Sequence, residues 1–169
     1  MGLDLYLNVK EYASRWDYSD GYENKKELPT FTNIINVLPD ARDFLAEDGV
    51  GCEISYIAMY WRKANAIHQW FVDNVQEGED NCAEYYVSLD SLKDLKTLCA
   101  EVLANKNDKE FIADNLPPQE GFFFGSTDID EWYFEDIQYT YDRLSVLIAK
   151  ADELAKRDRY IQFAYQASW

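Results

Sequence analysis

Between residues 128 and 169 the apolar pattern changes its period, and that change narrows the possible folds more than any other feature of the chain. From Asp128 to Arg157, the residues Ile137, Tyr141, Leu144, Ile148, Ala151 and Ala155 recur at steps of three and four, the spacing of one stripe on an α-helix. Ser126 or Thr127 stands where an N-cap is needed. Acids crowd the start of this segment, and Lys150, Lys156 and Arg157 lie near its end, an order that suits the helix dipole. RYIQFAYQASW then alternates, with Tyr160, Gln162, Ala164 and Gln166 on one side and Ile161, Phe163 and Tyr165 on the other, the period of a strand. The chain also opens on alternation, because Leu3, Leu5, Leu7 and Val9 share one face of residues 3–12. A terminal strand laid beside the first gives the long helix a sheet to cover. The expected fold is therefore α+β: a small, mostly antiparallel sheet with amphipathic helices packed on one face and a long helix near the C-terminus, in a single domain of residues 1–169.

The middle of the chain supplies the remaining elements. Residues 16–26 (WDYSDGYENKK) are polar and turn-rich, a loop or hairpin end. A short helix is expected within residues 30–46, on Phe31, Ile34, Ile35, Val37 and Leu38 before Pro39. DGVG at 48–51 reads as a turn, and CEISYIA as a strand ending near Ala58. A helix follows from about Met59 to Val75, with Tyr60, Ala64, Ile67, Phe71 and Val75 inward. YYVS is a short strand. Ser88 or Asp90 caps a helix through Leu103, with Leu92, Leu95, Leu98 or Cys99, and Val102 inward. Residues 105–121 read as a long polar connection in which Pro117-Pro118 forbids helix. GFFFGS is either a buried strand or a plug over the core.

Charge sets the partners. The chain carries 32 acids against 16 bases, a net of −16. Residues 64–92 hold six acids and no Lys or Arg, and residues 110–142 hold nine acids and no base. Such a polyanion cannot hold nucleic acid by neutralising phosphates, so no direct nucleic-acid binding is expected. Its field attracts basic surfaces instead, including the nucleic-acid grooves of other proteins. The absence of a long apolar run predicts no membrane span. The opening MGLDLYLNVK lacks the pattern of a secretory signal, and Tyr6 stands where a myristoylation motif needs Ser or Thr. The three cysteines, Cys52, Cys82 and Cys99, suit buried thiols in a reducing cytoplasm.

Two residue sets are candidate sites. In YWRKANAIHQWF (60–71), Arg62, Asn65, His68 and Gln69 fall along the polar border of the expected helix. They form either a wall of a small-molecule pocket, nucleotide-like in its ligand, or a structural boundary in which His68 bonds within the core and Arg62-Lys63 pair with acids. As a pocket, Arg62 meets an anionic group and His68 serves as general acid or base. In the long helix, Asp128, Glu131, Glu135 and Asp142 fall within about 60° of one face. Their axial steps of roughly 4 to 10 Å are comparable with phosphate spacing along a nucleic-acid strand. Trp132, Tyr133 and Tyr139 lie among them as anchors for a protein contact. The face is either a nucleic-acid mimic or an ordinary solvated surface.

No cofactor and no metal are expected. Cys52, Cys82, Cys99 and His68 lack zinc-ligand spacing, and Asp17, Asp20 and Glu23 lack the spacing of a calcium loop. Asp128, Asp130 and Glu131 would repel phosphate at the helix start after GFFFGS.

The GLDLYL start, YWRKANAIHQWF and GFFFGSTDIDEWYF together resemble a family of small bacteriophage and bacterial proteins, with the three motifs spread over most of the chain. The resemblance implies a cytoplasmic accessory protein, phage- or prophage-borne, and brings no activity with it. The leading expectation is a non-enzymatic inhibitor that presents Asp128, Glu131, Glu135 and Asp142, with Trp132 as anchor, to a basic site on a host nucleic-acid-processing or defence protein. The alternative is a small-molecule binder or enzyme built on Arg62, Asn65 and His68. A third reading places the abundant aromatics at a homo-oligomer interface.

Overall fold

The computed structural model describes residues 2–38, 40–157 and 159–169. In chain order the elements are β1 (Asp4–Ser14), β2 (Trp16–Asp17), β3 (Lys26–Glu27), α1 (Pro29–Asn36), β4 (Gly51–Arg62), α2 (Asn65–Asn74), β5 (Tyr85–Val87), α3 (Leu89–Ala104), α4 (Lys109–Asn115), α5 (Glu131–Ala155) and β6 (Gln162–Ser168). The fold is α+β, with a four-stranded antiparallel sheet ordered β4-β1-β6-β5 and the long helix α5 near the C-terminus. The C-terminal strand lies beside the first, as its alternation predicts. The chain divides into two compact units, Met1–Val9 with Tyr56–Trp169, and Lys10–Ser55.

In the first unit, Leu3, Leu5, Leu7 and Val9 are buried, and Phe163, Tyr165 and Ala167 of β6 are buried with them. Each fully buried leucine contributes about 2 kcal/mol through loss of apolar surface to water. Helix α3 starts where Ser88 accepts from the backbone N–H of Ser91 at 2.9 Å, and it buries Leu92, Leu95, Cys99 and Val102. Helix α5 buries Tyr133, Ile137, Thr140, Leu144, Ile148, Ala151 and Leu154. Its stripe is turned slightly from the expected one, leaving Tyr141 half-buried and Ala155 exposed. Thr140 can sit inside because its hydroxyl is satisfied twice: it donates to the Asp136 carbonyl at 2.7 Å and accepts from the Trp61 indole N–H at 2.8 Å.

Four boundaries differ from expectation. Strand β4 does not end near Ala58 but runs to Arg62, and the helix after it spans Asn65–Asn74 only. The strand period persists because Met59 and Trp61 are buried on alternate positions. Tyr60 therefore points away from the core, 42% exposed, where its hydroxyl meets Asp4. Lys63 makes the corner, at φ +61°. Second, the long connection contains a helix, α4, capped by Asp108, whose carboxylate accepts from Phe111 N–H at 3.0 Å. Ile112 and Leu116 hold it to the core, and the helix stops short of Pro117-Pro118. Third, α5 begins at Glu131, three residues late. Asp130, not Ser126 or Thr127, is its N-cap and accepts from Tyr133 N–H at 3.1 Å. Fourth, of the two readings of GFFFGS the strand is not formed: the segment turns, with Phe123 at φ +72° and Phe122 81% exposed, and Phe124 alone of the three enters the core.

The second unit carries the β2–β3 hairpin, with Trp16 opposite Glu27. Glu27 is its electrostatic centre. Arg42 lies 3.0 Å away, the Thr32 hydroxyl donates at 2.8 Å and Arg15 lies at 3.2 Å. Arg42, then Thr32 and Arg15, pull the Glu27 carboxyl down to about 2. Helix α1 starts at Pro29 and buries Phe31 and Ile35, while Val37 and Leu38 are exposed beyond it. Pro39, read as the stop for this helix, lies outside the described residues.

Candidate functional site

The polar set drawn from YWRKANAIHQWF does not form one wall, because the strand-to-helix corner at Lys63 splits it. Arg62 is exposed at the end of β4. Gln69 spends its amide on Asp73 at 2.7 Å, one turn along α2. His68 is fully buried, not at the border of the apolar face. Its Nε2 lies 3.0 Å from Asp80 Oδ1, and its Nδ1 lies 2.8 Å from the Tyr165 hydroxyl. A carboxylate only accepts, so Nε2 carries the proton and Nδ1 accepts from the phenol. Burial, chiefly, and Asp80 hold the Tyr165 phenol well above the usual tyrosine range, so it stays a donor. Phe124 meets the imidazole edge-on at 5.3 Å, and Phe71 stacks on Tyr165 at 3.9 Å.

Asn65 is also buried and fully occupied. Its amide N–H groups donate to the carbonyls of Phe124 and Ser126 at 3.3 and 2.8 Å, and its oxygen accepts from Gln119 N–H at 3.2 Å. One side chain thus ties the 119–126 segment to the start of α2. Gly125 completes that packing: it sits at φ +98°, and a Cβ there would come within 3.1 Å of the Lys63 side chain.

The acidic face is likewise rearranged. Asp128 precedes α5 and accepts from the Ser126 hydroxyl at 3.0 Å, so it is not on the helical face assigned to it. Glu131, Glu135 and Asp142 do lie on α5, within about 40° of one another around the axis. All three are exposed. Asp142 accepts from Gln138 at 3.0 Å. Trp132, between the two glutamates, is 74% exposed, whereas Tyr133 is buried and donates to the Leu116 carbonyl at 2.8 Å.

A cavity of about 300 Å³ gathers members of both sets, with Arg62 and Asn65 from one and Asp128, Trp132 and Glu135 from the other. His68 and Gln69 do not line it. Lys63, Asp130 and Asp136 complete its charged wall, and none of the three was a candidate from sequence. In the sequence Asp136 is one of nine acids in residues 110–142, and no local pattern singles it out. Its special position comes from standing beside buried Ile137 on the inward edge of α5. Burial first, then the neighbouring charges of Glu135 and Asp130, push its carboxyl up to about 6. Among the described residues, neither Arg62 nor Lys63 forms an ion pair, and the Asp136 carboxyl has no hydrogen-bond partner.

Elsewhere, a cavity of about 590 Å³ opens among Val87, Leu89, Ile161 and Phe163. Asp17 accepts from Ser19 N–H at 2.9 Å, and Asp20 pairs with Lys26 at 2.6 Å. Among the described residues no three His, Cys, Asp or Glu side chains gather as a metal ion requires. Of the three free cysteines, Cys99 is buried, Cys52 half-buried and Cys82 exposed, which corrects the expectation of three buried thiols. Burial pushes the Cys99 thiol up to about 12. Among the described residues no helix is long and apolar enough to cross a membrane. No protein-family model, no curated protein and no solved structure matches this chain.

Proposed function

We propose that the chain is a non-enzymatic binding protein that docks the acidic, tryptophan-bearing start of α5 onto a basic surface of another protein. The observation that carries this reading is Trp132, 74% exposed between the exposed acids Glu131 and Glu135. A large ring left in water is a cost unless a partner covers it, and tryptophan is the residue most enriched among interface hot spots. The surrounding carboxylates choose the sign of the partner and speed its approach. The charge supports the reading, since residues 110–142 carry nine acids and no base.

A host nucleic-acid-processing or defence protein has the required basic surface, and occupation of its groove by carboxylates is mimicry of nucleic acid. The mimicry rests on Glu131, Glu135 and Asp142 as a helical row, with Asp128 as an off-helix neighbour. A phage- or prophage-borne protein acting in the bacterial cytoplasm fits the three free thiols.

Affinity capture from bacterial lysate tests the reading, at low and high salt, with wild type and with Glu131→Lys/Glu135→Lys. A partner captured by wild type should be lost in the double variant and weakened by salt. Trp132→Ala should lower the affinity for that partner by more than about tenfold. Capture that survives both charge reversal and salt overturns the proposal.

A further inference from the structure

We propose that the cavity between the Lys63 corner and the start of α5 binds a basic amino acid of the arginine type, its carboxylate held by Arg62 and Lys63 and its guanidinium by Asp136 and Glu135. The site shares Asp128, Trp132 and Glu135 with the docking face and differs from it elsewhere: Glu131 belongs to that face but not to the cavity wall, and Asp136 belongs to the wall. Its volume, about 300 Å³, lies at the lower end of small-molecule sites and suits a ligand the size of one amino acid.

The charges select the ligand. Two cations come from the β4–α2 corner, and four carboxylates, Asp128, Asp130, Glu135 and Asp136, come from α5 and its lead-in. Among the described residues, Arg62 and Lys63 pair with none of them. Opposite charges held apart in one cavity are complementary to a molecule that is itself dipolar. The excess of carboxylates requires that molecule to carry net positive charge. A nucleotide fails this requirement, because its phosphate would bring negative charge into a wall already negative. A basic amino acid meets it with one anionic end, two cationic groups and an aliphatic stem between.

Asp136 is the group a cation would satisfy. Its carboxyl is half-buried, has no hydrogen-bond partner among the described residues, and stands beside Glu135 and Asp130. A guanidinium offers a planar fork of donors that matches a carboxylate in two bonds. Trp132 lines the same cavity, and an indole is the aromatic side chain that attracts a cation most strongly.

Titration of the full chain with L-arginine, agmatine and L-citrulline, followed by the Trp132 indole N–H resonance and by Tm, tests the proposal. Agmatine lacks the carboxylate, and citrulline lacks the charge. L-Arginine should shift the resonance saturably and raise Tm. Agmatine should bind about tenfold more weakly, and citrulline should give no response. Arg62→Ala/Lys63→Ala should erase the advantage of arginine over agmatine. Asp136→Asn should abolish the arginine response without lowering the Tm of the free protein, which separates lost binding from lost folding. No saturable response to arginine, an equal response to citrulline, or an Asp136→Asn variant that still binds would each overturn it. Glu131→Lys leaves the arginine response in place while weakening partner capture, so this proposal and the docking proposal fail separately.

Discussion

The Tyr165 hydroxyl donates to His68 Nδ1 across 2.8 Å, a side-chain bond that fastens β6 to α2 within the core. Both residues are fully buried. Removing one partner therefore strands the other without water to replace it. His68→Ala should cost about 3 kcal/mol, from the lost bonds to Tyr165 and Asp80 and from the cavity left behind. Tyr165→Phe should cost about 1 to 2 kcal/mol, because the ring stacked on Phe71 remains. In the double variant the losses should fall short of the sum. Urea denaturation measures all three. A His68→Ala loss below about 0.5 kcal/mol would mean that the buried bonds contribute nothing net.

The same imidazole makes stability depend on pH. Burial, the larger influence, pushes the His68 pKa below its ordinary 6.5, and Asp80 pulls the other way. A histidine with a depressed folded-state pKa favours the fold while neutral. That contribution is present above the unfolded pKa and is lost as pH falls, because the unfolded chain takes up a proton that the folded one refuses. The stability difference between wild type and His68→Gln should shrink as pH drops below about 6.5. Denaturation of both proteins between neutral and mildly acidic pH measures it. A difference that grows on acidification would show that Asp80 outweighs burial and that the folded protein holds the imidazolium.

Asn65 clamps the segment after α4 to the start of α2. Its three bonds to the backbone of Gln119, Phe124 and Ser126 hold the segment that carries the exposed Phe122 and Phe123. Asn65→Ala should cost about 2 kcal/mol, and it should speed amide exchange at Gln119, whose N–H loses its acceptor. Asn65→Asp keeps the acceptor but loses both donors, so it should leave Gln119 protected while loosening residues 124–126. Equal exchange at Gln119 in wild type and Asn65→Ala would remove the clamp.

The ends of this fold were legible in the sequence because each has a single period. Leu3, Leu5, Leu7 and Val9 can satisfy only a strand, and Ile137, Leu144, Ile148 and Ala151 only a helix. The β4–α2 boundary was not, because two periods overlap there. Ala64, Ile67 and Phe71 keep helical spacing, and Tyr60 extends it by coincidence, while Met59 and Trp61 continue the alternation of β4 that the core actually uses. Helix α4 hid in polar composition, since only Ile112 and Leu116 anchor it fully. Asp130 caps α5 although Ser126 and Thr127 offer the same capping chemistry earlier in the chain. Asp128 therefore precedes the helix instead of lying on it. The cavity itself is a tertiary fact: Lys63 and Asp136 are 73 positions apart in sequence, and no local pattern marks them as neighbours of one space.

Asp136 should make the protein less stable at neutral pH than it need be. Its carboxyl, pushed up to about 6 by burial and then by Glu135 and Asp130, is disfavoured in the fold when ionised. A raised folded-state pKa means that full stability is present below the unfolded value of 3.8 and is lost as pH rises through about 6. The full linkage value is about 3 kcal/mol, reduced to about 1 to 2 kcal/mol because the group is partly solvated. Asp136→Asn should therefore stabilise the protein by that amount at pH 7, and the gain should vanish toward pH 4. Asp130→Asn keeps an N-cap acceptor for Tyr133 N–H while removing one of the two charges that crowd Asp136. The Asp136 pKa should fall in that variant, short of its ordinary value, because burial, the larger cause, is untouched. Carboxyl-carbon NMR titration of both proteins reads the shift directly. An unchanged Asp136 pKa in Asp130→Asn, or a loss of stability in Asp136→Asn at pH 7, would show that the carboxylate is already compensated in the free protein and that the cavity holds no unmet charge.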